Sequence, residues 1–346
     1  MSAKPRCEAT IGTLLAAAAL LLAASLPGAR AQSADAFYRG RTVTLYIGYA
    51  EGGSYDLYCR LVARHLGAHL PGNPTILPRN NPGAGSFKLA NELYAALPKD
   101  GSALGMIGEV LVVNQILGDA NAKFVATEFS WIGRLVDSDT VLVTAPGAPV
   151  KQFADARSHA STVGVPGAGS TSFLNLTVVN RLFGTKFKLI SGYDGSAQIK
   201  LALERGEVDG SGSMLWHVER DWIRGGGYHV VYQAALDSAP DLADVPTLVS
   251  LGRDAAERQL LGLFSAWSLI GRAIIAPPRV PQDRVALLRA ALDATVADPA
   301  FRSDAAKAGL DLAYLPGEPL AARVRALAEL DPALLAKAKQ LASSAP

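Results

Sequence analysis

Apolar and polar positions in this chain recur in one order: a short alternating run, a glycine- and serine-rich stop, then a stripe at helical spacing. Thr42–Ile47 (TVTLYI) alternates and is β-branched, which predicts a strand running into Ala50–Ser54 (AEGGS). Leu57, Leu61, Val62 and Leu66 then share one face of a helix, with Ser54 as N-cap and Asp56 in the first turn. The second unit is Thr75–Leu77, the loop RNNPGAGS and a helix carrying Leu89, Leu93 and Leu97. A third strand, Leu104–Ile107, ends at Gly108-Glu109. Further on, Thr162–Val165 leads through PGAGSTS into a helix Phe173–Phe183. Phe187–Ile190 leads through SGYDGS into Ala197–Arg205, closed by Gly206. From Pro281 the pattern is helical: Val285, Leu288 and Leu292 form one stripe, and Arg323–Leu341 predicts a charged surface helix pair.

Strands alternating with helices predict a largely parallel sheet, and in such sheets ligands sit beyond the carboxyl ends of the strands. The glycine/serine loops occupy that position. Each also opens a helix, leaving backbone N–H groups unpaired at the positive end of the helix dipole. One helix end contributes only about 0.3–1 kcal/mol to anion binding, so a single loop is simply the way a helix starts. Several converging ends would hold a carboxylate without an arginine.

PGAGS occurs twice, at Pro82–Ser86 and Pro166–Ser170. The helices after the two copies do not match, so what repeats is architecture rather than a duplicated sequence. A nucleotide cradle is excluded: the third-glycine position of G-x-G-x-x-G holds Lys88 in the first copy and Ser172 in the second. The chain has no G-x-S-x-G elbow. His65 and His69 are spaced i,i+4 without HExxH and fit a solvated helix face better than a metal site.

Lys4 and Arg6 precede an uncharged apolar stretch, Ile11–Leu26, and then Ala29-Arg30-Ala31. This is the pattern of a secretory signal peptide cleaved before Gln32, too short in its apolar core for a membrane anchor. Of the two cysteines, Cys7 falls in that leader and Cys59 is left alone, on one helix face with Val62 and Leu66, as a small buried hydrophobe. The remaining 315 or so of 346 residues suit about two domains, 49% hydrophobic with 33 glycines and 20 prolines. A formal charge of +2 points to neither nucleic acid nor a membrane surface.

Seven stretches, in order, carry a family resemblance: YAEGGSYD (Tyr49–Asp56), NNPGAGS (Asn80–Ser86), PGAGSTS (Pro166–Ser172), GYDGSA (Gly192–Ala197), GEVDG (Gly206–Gly210), DVPTL (Asp244–Leu248) and APPRVPQDRVALLRAA (Ala276–Ala291). Across essentially the whole mature chain the sequence resembles the extracytoplasmic receptors of tripartite tricarboxylate transporters, the Bug proteins. The resemblance implies a periplasmic-binding-protein-like α/β fold, two domains joined by crossing hinge strands with the ligand in the interdomain cleft. Residues 32–141 and 268–346 would form one domain and 142–267 the other, the return being signalled by the apolar run Leu269–Ile275. It implies a periplasmic, monomeric receptor without cofactor, metal or catalytic residue, which delivers a small organic carboxylate to membrane permease subunits. A secreted enzyme using Asp56, Glu109 or Asp209, or a ligand-sensing receptor on the same scaffold, is the alternative.

By position in that family, Gly53, Ser54, Tyr55 and Asp56 would line the first jaw, with Gly85 and Ser86 nearby. Ser170, Thr171 and Ser172 would line the second, with Tyr193 and Asp209 at the next strand and helix ends. Asp56 would fix its loop or a bridging water rather than meet a carboxylate, or is a first-turn acid matched to the helix dipole. Tyr55 would wall the pocket, or is an exposed aromatic at a helix start. Glu109 would repel a carboxylate unless protonated, paired, or met by a ligand amine or hydroxyl. Arg134 or Arg272 would be its partner, or the partner of a distal carboxylate. Ser211, Ser213 and Trp216 depart from the family pattern and are further pocket candidates, Trp216 being equally a core residue.

Overall fold

A computed structural model describes residues 34–166, 170–193 and 195–342. The leader assigned to residues 1–31, and Gly167–Gly169 of the second PGAGS, lie outside the described residues.

Two mixed sheets form the molecule. The strands of the first are β1 (Thr42–Ile47), β2 (Thr75–Asn80), β3 (Ala103–Met106), β4 (Ser130–Arg134), β10 (Ala273–Ala276) and β11 (Leu315–Pro316). They are ordered β11-β4-β10-β3-β1-β2. The second holds β5 (Thr140–Thr144), β6 (Ser161–Val165), β7 (Phe187–Ser191), β8 (Gly210–Leu215) and β9 (His229–Ala234), ordered β7-β6-β8-β5-β9. The strand–loop–helix units pair in parallel, β1 with β2 and β3, and β6 with β7 and β8. The largely parallel sheet expected from the sequence is corrected elsewhere: β10 runs antiparallel to β3 and β4, and β5 to β8 and β9. These strands begin at the seam between the sheets and so run opposite to those that end there.

Alternation sets the faces. Val43, Leu45 and Ile47 of β1 are buried against Tyr58, Leu61 and Val62 of the Ser54–His65 helix and against Val285, Leu288 and Leu292 of the Gln282–Ala297 helix. At roughly 1.5–3 kcal/mol per fully buried large aliphatic side chain, this stripe anchors the helix whose amino end borders the site. Cys59 is buried in the same layer, its Sγ 3.7 Å from Met106 Sδ. On the other face Leu89 and Leu93 pack with Trp131, Leu320 and Val324. In the second lobe Leu176 and Val179 of the Thr171–Phe183 helix meet Val163, Phe264 and Trp267.

The chain leaves the first sheet after Arg134 and enters the second at Thr140. It returns through a long helix, Ala255–Ile270, and Gly271-Arg272 into β10. The apolar run Leu269–Ile275 is therefore divided, its first two residues finishing the helix and Ala273–Ile275 entering the strand. Gly271 makes the break, with φ 43°, and a Cβ there would overlap the Val136 carbonyl of the outgoing segment. The surface helix pair becomes Gly317–Ala328 and Pro332–Ala342. Both are anchored, the first by Leu320 and Val324, the second by Ala338 in the core of the second lobe. His65 and His69 do not lie on a solvated face: each is 3.2 Å from a carboxylate, Asp304 and Asp298, of the C-terminal helices.

Candidate functional site

At the carboxyl end of β1 the helix begins at Ser54, and its N-cap is Gly53 (φ −81°, ψ 170°). Ser54 is thus not the cap that the pattern predicts, because its hydroxyl is engaged elsewhere. It accepts hydrogen bonds from Arg272 Nε at 3.2 Å and Nη2 at 2.9 Å. The other arm of the same guanidinium, Nη1, reaches Glu109 Oε2 at 2.8 Å and Ser138 Oγ at 2.9 Å. Ser138 Oγ also donates to Glu109 Oε2. One arginine therefore joins the end of β3, the opening of the first helix and both segments that cross between the sheets.

Aromatic rings hold that arginine in place. Its guanidinium lies 4.1 Å over the Tyr55 ring, and Tyr55 in turn lies 4.3 Å from Tyr49. The Tyr55 hydroxyl accepts the Glu109 N–H at 3.3 Å. Tyr55 is a wall of this network rather than an exposed aromatic. Burial, and then the Glu109 charge, push the Tyr49 phenol up to about 12. Burial opposes the charge on Arg272, but Tyr55 and Glu109 beside it outweigh that and raise its pKa.

Asp56 is buried and points back into the loop, accepting the Gly52 N–H at 3.0 Å, Arg60 Nε at 2.8 Å and Asn80 Nδ2 at 2.9 Å. Burial alone would raise its pKa; the hydrogen bonds from Arg60, Gly52 and Asn80 prevail and lower it. Ser86 accepts the Gly108 N–H at 3.1 Å, and Gly48 lies so close that a Cβ there would overlap the Ser86 hydroxyl. The first PGAGS turn is left-handed: Ala84 (φ 47°), Gly85 (φ 61°) and Ser86 (φ 78°) follow one another. For Ala84 and Ser86 this conformation costs about 1–2 kcal/mol each.

In the second lobe Ser170 caps the Thr171–Phe183 helix, its Oγ accepting the Phe173 N–H at 3.2 Å. Thr171 is the first helical residue. Ser172 lies 3.3 Å from Ser170 and accepts from Ser213 Oγ at 2.8 Å, while Ser211 Oγ accepts the Ser213 N–H at 3.4 Å. The parallel register that sets Gly164 beside Ser211 brings these β8 serines level with the loop after β6. Tyr193 packs at the face of β6: a Cβ on Gly164 would come within 3.3 Å of its ring and would also meet Ile199.

Asp209 does not join the serines. Its carboxylate accepts the Thr162 N–H at 2.7 Å and the Thr162 hydroxyl at 2.9 Å, towards the amino end of β6, which is the wrong end of the strands for the site. Trp216 is a core residue with its Nε1 donating to Asp241 at 2.9 Å. Arg134 bonds the Leu269 and Ala313 carbonyls and leaves Glu109 to Arg272. Ser138 was missed by sequence reasoning. Arg272 carried one signal, as the only charge inside Leu269–Ile275. A cavity of about 410 Å3 opens beside the crossing segments, with Asp137, Asp139, Trp216, His217 and Asp311 in its wall.

Two α/β lobes joined by paired crossings, with hydroxyl-bearing helix amino ends in each, define a solute-binding protein of the periplasmic-binding class. The family model of the tripartite tricarboxylate transporter family receptor matches residues 59–323, and the chain belongs to that family. A curated relative, the UPF0065 protein in gbd 5'region of Cupriavidus necator, is 29% identical over 264 residues, 74% of this chain and 77% of that one. The fold matches a TctC solute binding protein from Polaromonas with a TM-score of 0.67 at 22% identity, over 88% of this chain and 98% of the other. It also matches R. palustris Rpa4515 with adipate, with a TM-score of 0.58 at 20% identity, over 88% and 97%. The chain is thus a TctC-family receptor. Among the described residues no helix is long and apolar enough to cross a membrane.

Proposed function

We propose that this receptor captures a small organic carboxylate between its two lobes in the periplasm and hands it, as a monomer, to its membrane permease subunits. The carrying observation is the pair of helix amino ends, at Ser54 and Thr171, one from each sheet and each following a parallel strand. Helix N–H groups and serine hydroxyls would supply the donors, and Arg272, already neutralised by Glu109, would serve as scaffold. The adipate held by one structural relative supports the ligand class. Residues 32–141 and 268–346 would move against 142–267 and close on the ligand, except that the Pro332–Ala342 helix, with Ala338 in the core of the second lobe, would travel with 142–267.

A receptor also fits the state of the acids. Asp56 and Asp209 are engaged by backbone donors, and Glu109 is tied to Arg272 and Ser138, so none is poised as a free catalytic base. The test is thermal melting of mature protein, freed of carried-over ligand by unfolding and refolding, against dicarboxylates, hydroxy acids, benzoate-type acids and amino acids. At a hundred times the dissociation constant a specific ligand adds about 2.7 kcal/mol, a shift of a few degrees. A saturable shift with one acid and none with its amide supports the reading. No shift across the panel overturns it.

A further inference from the structure

Glu109 carries two unlike oxygens. Oε2 receives Ser138 Oγ and Arg272 Nη1, while Oε1 has no partner among the described residues, and the side chain keeps 19% of its surface exposed. A carboxyl oxygen in this position is satisfied by water or by a donor on the ligand. An acid that displaces the water without replacing its hydrogen bond loses affinity.

The opposite arm of the guanidinium completes the pattern. Ser54 Oγ accepts from both Nε and Nη2 of Arg272, so its own proton is left to donate. A donor hydroxyl and an acceptor carboxylate oxygen thus stand at the two ends of one arginine. Arg272 cannot turn to the ligand without giving up Ser54, Ser138, Glu109 and its seat on Tyr55. A carboxylate is therefore received by Ser54 and the helix ends, and Glu109 both repels a second negative charge and rewards a donor.

We propose that Glu109 makes the cleft selective for carboxylic acids that also bear a hydrogen-bond donor, a hydroxyl or an ammonium group, close to the carboxylate. This rests on the receptor reading above and names the ligand class of the same site. A site built to hydrogen-bond a hydroxyl or amine discriminates far more strongly against the analogue lacking it than an apolar pocket does against a missing methylene.

The experiment is titration calorimetry of the ligand-stripped mature protein with matched series: succinate, L-malate and L-aspartate; propionate, L-lactate and L-alanine; phenylacetate, mandelate and phenylglycine. In the series that binds, the hydroxy or ammonium member is expected to bind at least about tenfold tighter than its parent, the gain of one charge-assisted hydrogen bond. In Glu109→Gln the gap narrows, and succinate gains because Arg272 is no longer neutralised. Circular dichroism checks that the variant is folded, and the wild-type ranking stands without it. A parent acid binding as tightly as its substituted partners overturns the inference and leaves the carboxylate receptor intact. Absence of binding by every acid overturns both.

Discussion

The two sides of the proposed site are built from different chemistry. In the first lobe Arg272, Glu109, Ser54, Ser138 and Tyr55 are locked to one another and Asp56 is held beside them by Arg60, Asn80 and the Gly52 N–H, with Arg272 and Asp56 almost wholly inside. In the second, the corresponding residues are hydroxyls, Ser170, Ser172, Ser211 and Ser213, around one helix end. An ionic network is costly to open because each member leaves a buried charge behind. Hydroxyls rotate and exchange partners at small cost. The first lobe is accordingly a rigid half-site and the second an adaptable one, and perturbing them should give unequal results.

The largest effect is expected from Arg272→Met. It strands Glu109 and removes the contact joining Ser54 to both crossings, and breaking such a pair costs about 3 kcal/mol. Urea unfolding measures this, and Glu109→Gln in the same chain should recover part of the loss, the sign of coupling. Equal costs for the single and double variants would mean that the arginine acts by packing alone.

Asp56→Ala comes next, at about 2 kcal/mol, since it leaves the Gly52 N–H and Arg60 without their acceptor. The folded pKa of Asp56 is lowered, so its contribution is present above about pH 4, the unfolded value, and is lost as pH falls through the folded one. The variant should therefore lose a smaller fraction of its stability than wild type on acidification below pH 4.

At the seam between the lobes the sign reverses. Burial, and then the charge of Asp137, push Asp139 up to about 7. A raised carboxyl binds its proton in the folded state first, so its stabilising contribution is complete below about pH 4 and is lost as pH rises towards 7. Asp139→Asn should stabilise the protein at pH 8 by at least about 1 kcal/mol and leave it nearly unchanged at pH 4. Melting curves at the two pH values decide this.

Sequence legibility follows the same division. The strand–loop–helix units were readable because their signal is local: Leu61 and Val62 in a helical stripe, TVTLYI alternating, glycines between; Leu57, expected in the same stripe, is exposed instead. The hydroxyls Ser170, Thr171 and Ser172 were named through the family resemblance, and they sit at a helix start that Ser170 caps. Of the ionic network only the Glu109–Arg272 pair was anticipated, as one of two alternatives with Arg134; the rest was not legible, since Arg272 meets Ser54 across 218 positions and Glu109 across 163. Asp209 misled for a related reason: a strand start and a strand end look alike in sequence, and only the parallel register puts it beside Thr162. Ser54 resembled a cap because nothing local shows that its hydroxyl is already used.

The smallest stability effect, and the sharpest test of adaptability, is Ser172→Ala. Ser172 accepts from Ser213 at 2.8 Å and stands 3.3 Å from Ser170, which keeps the Phe173 N–H when Ser172 is lost. Its loss should cost the free protein less than about 1 kcal/mol, the net worth of one neutral hydrogen bond. If Ser172 donates to the ligand as proposed, carboxylate affinity should fall by roughly tenfold, the worth of one hydrogen bond. Calorimetry and urea unfolding on the same preparation separate the two quantities. A stability loss as large as that of Arg272→Met would make the second lobe as rigid as the first.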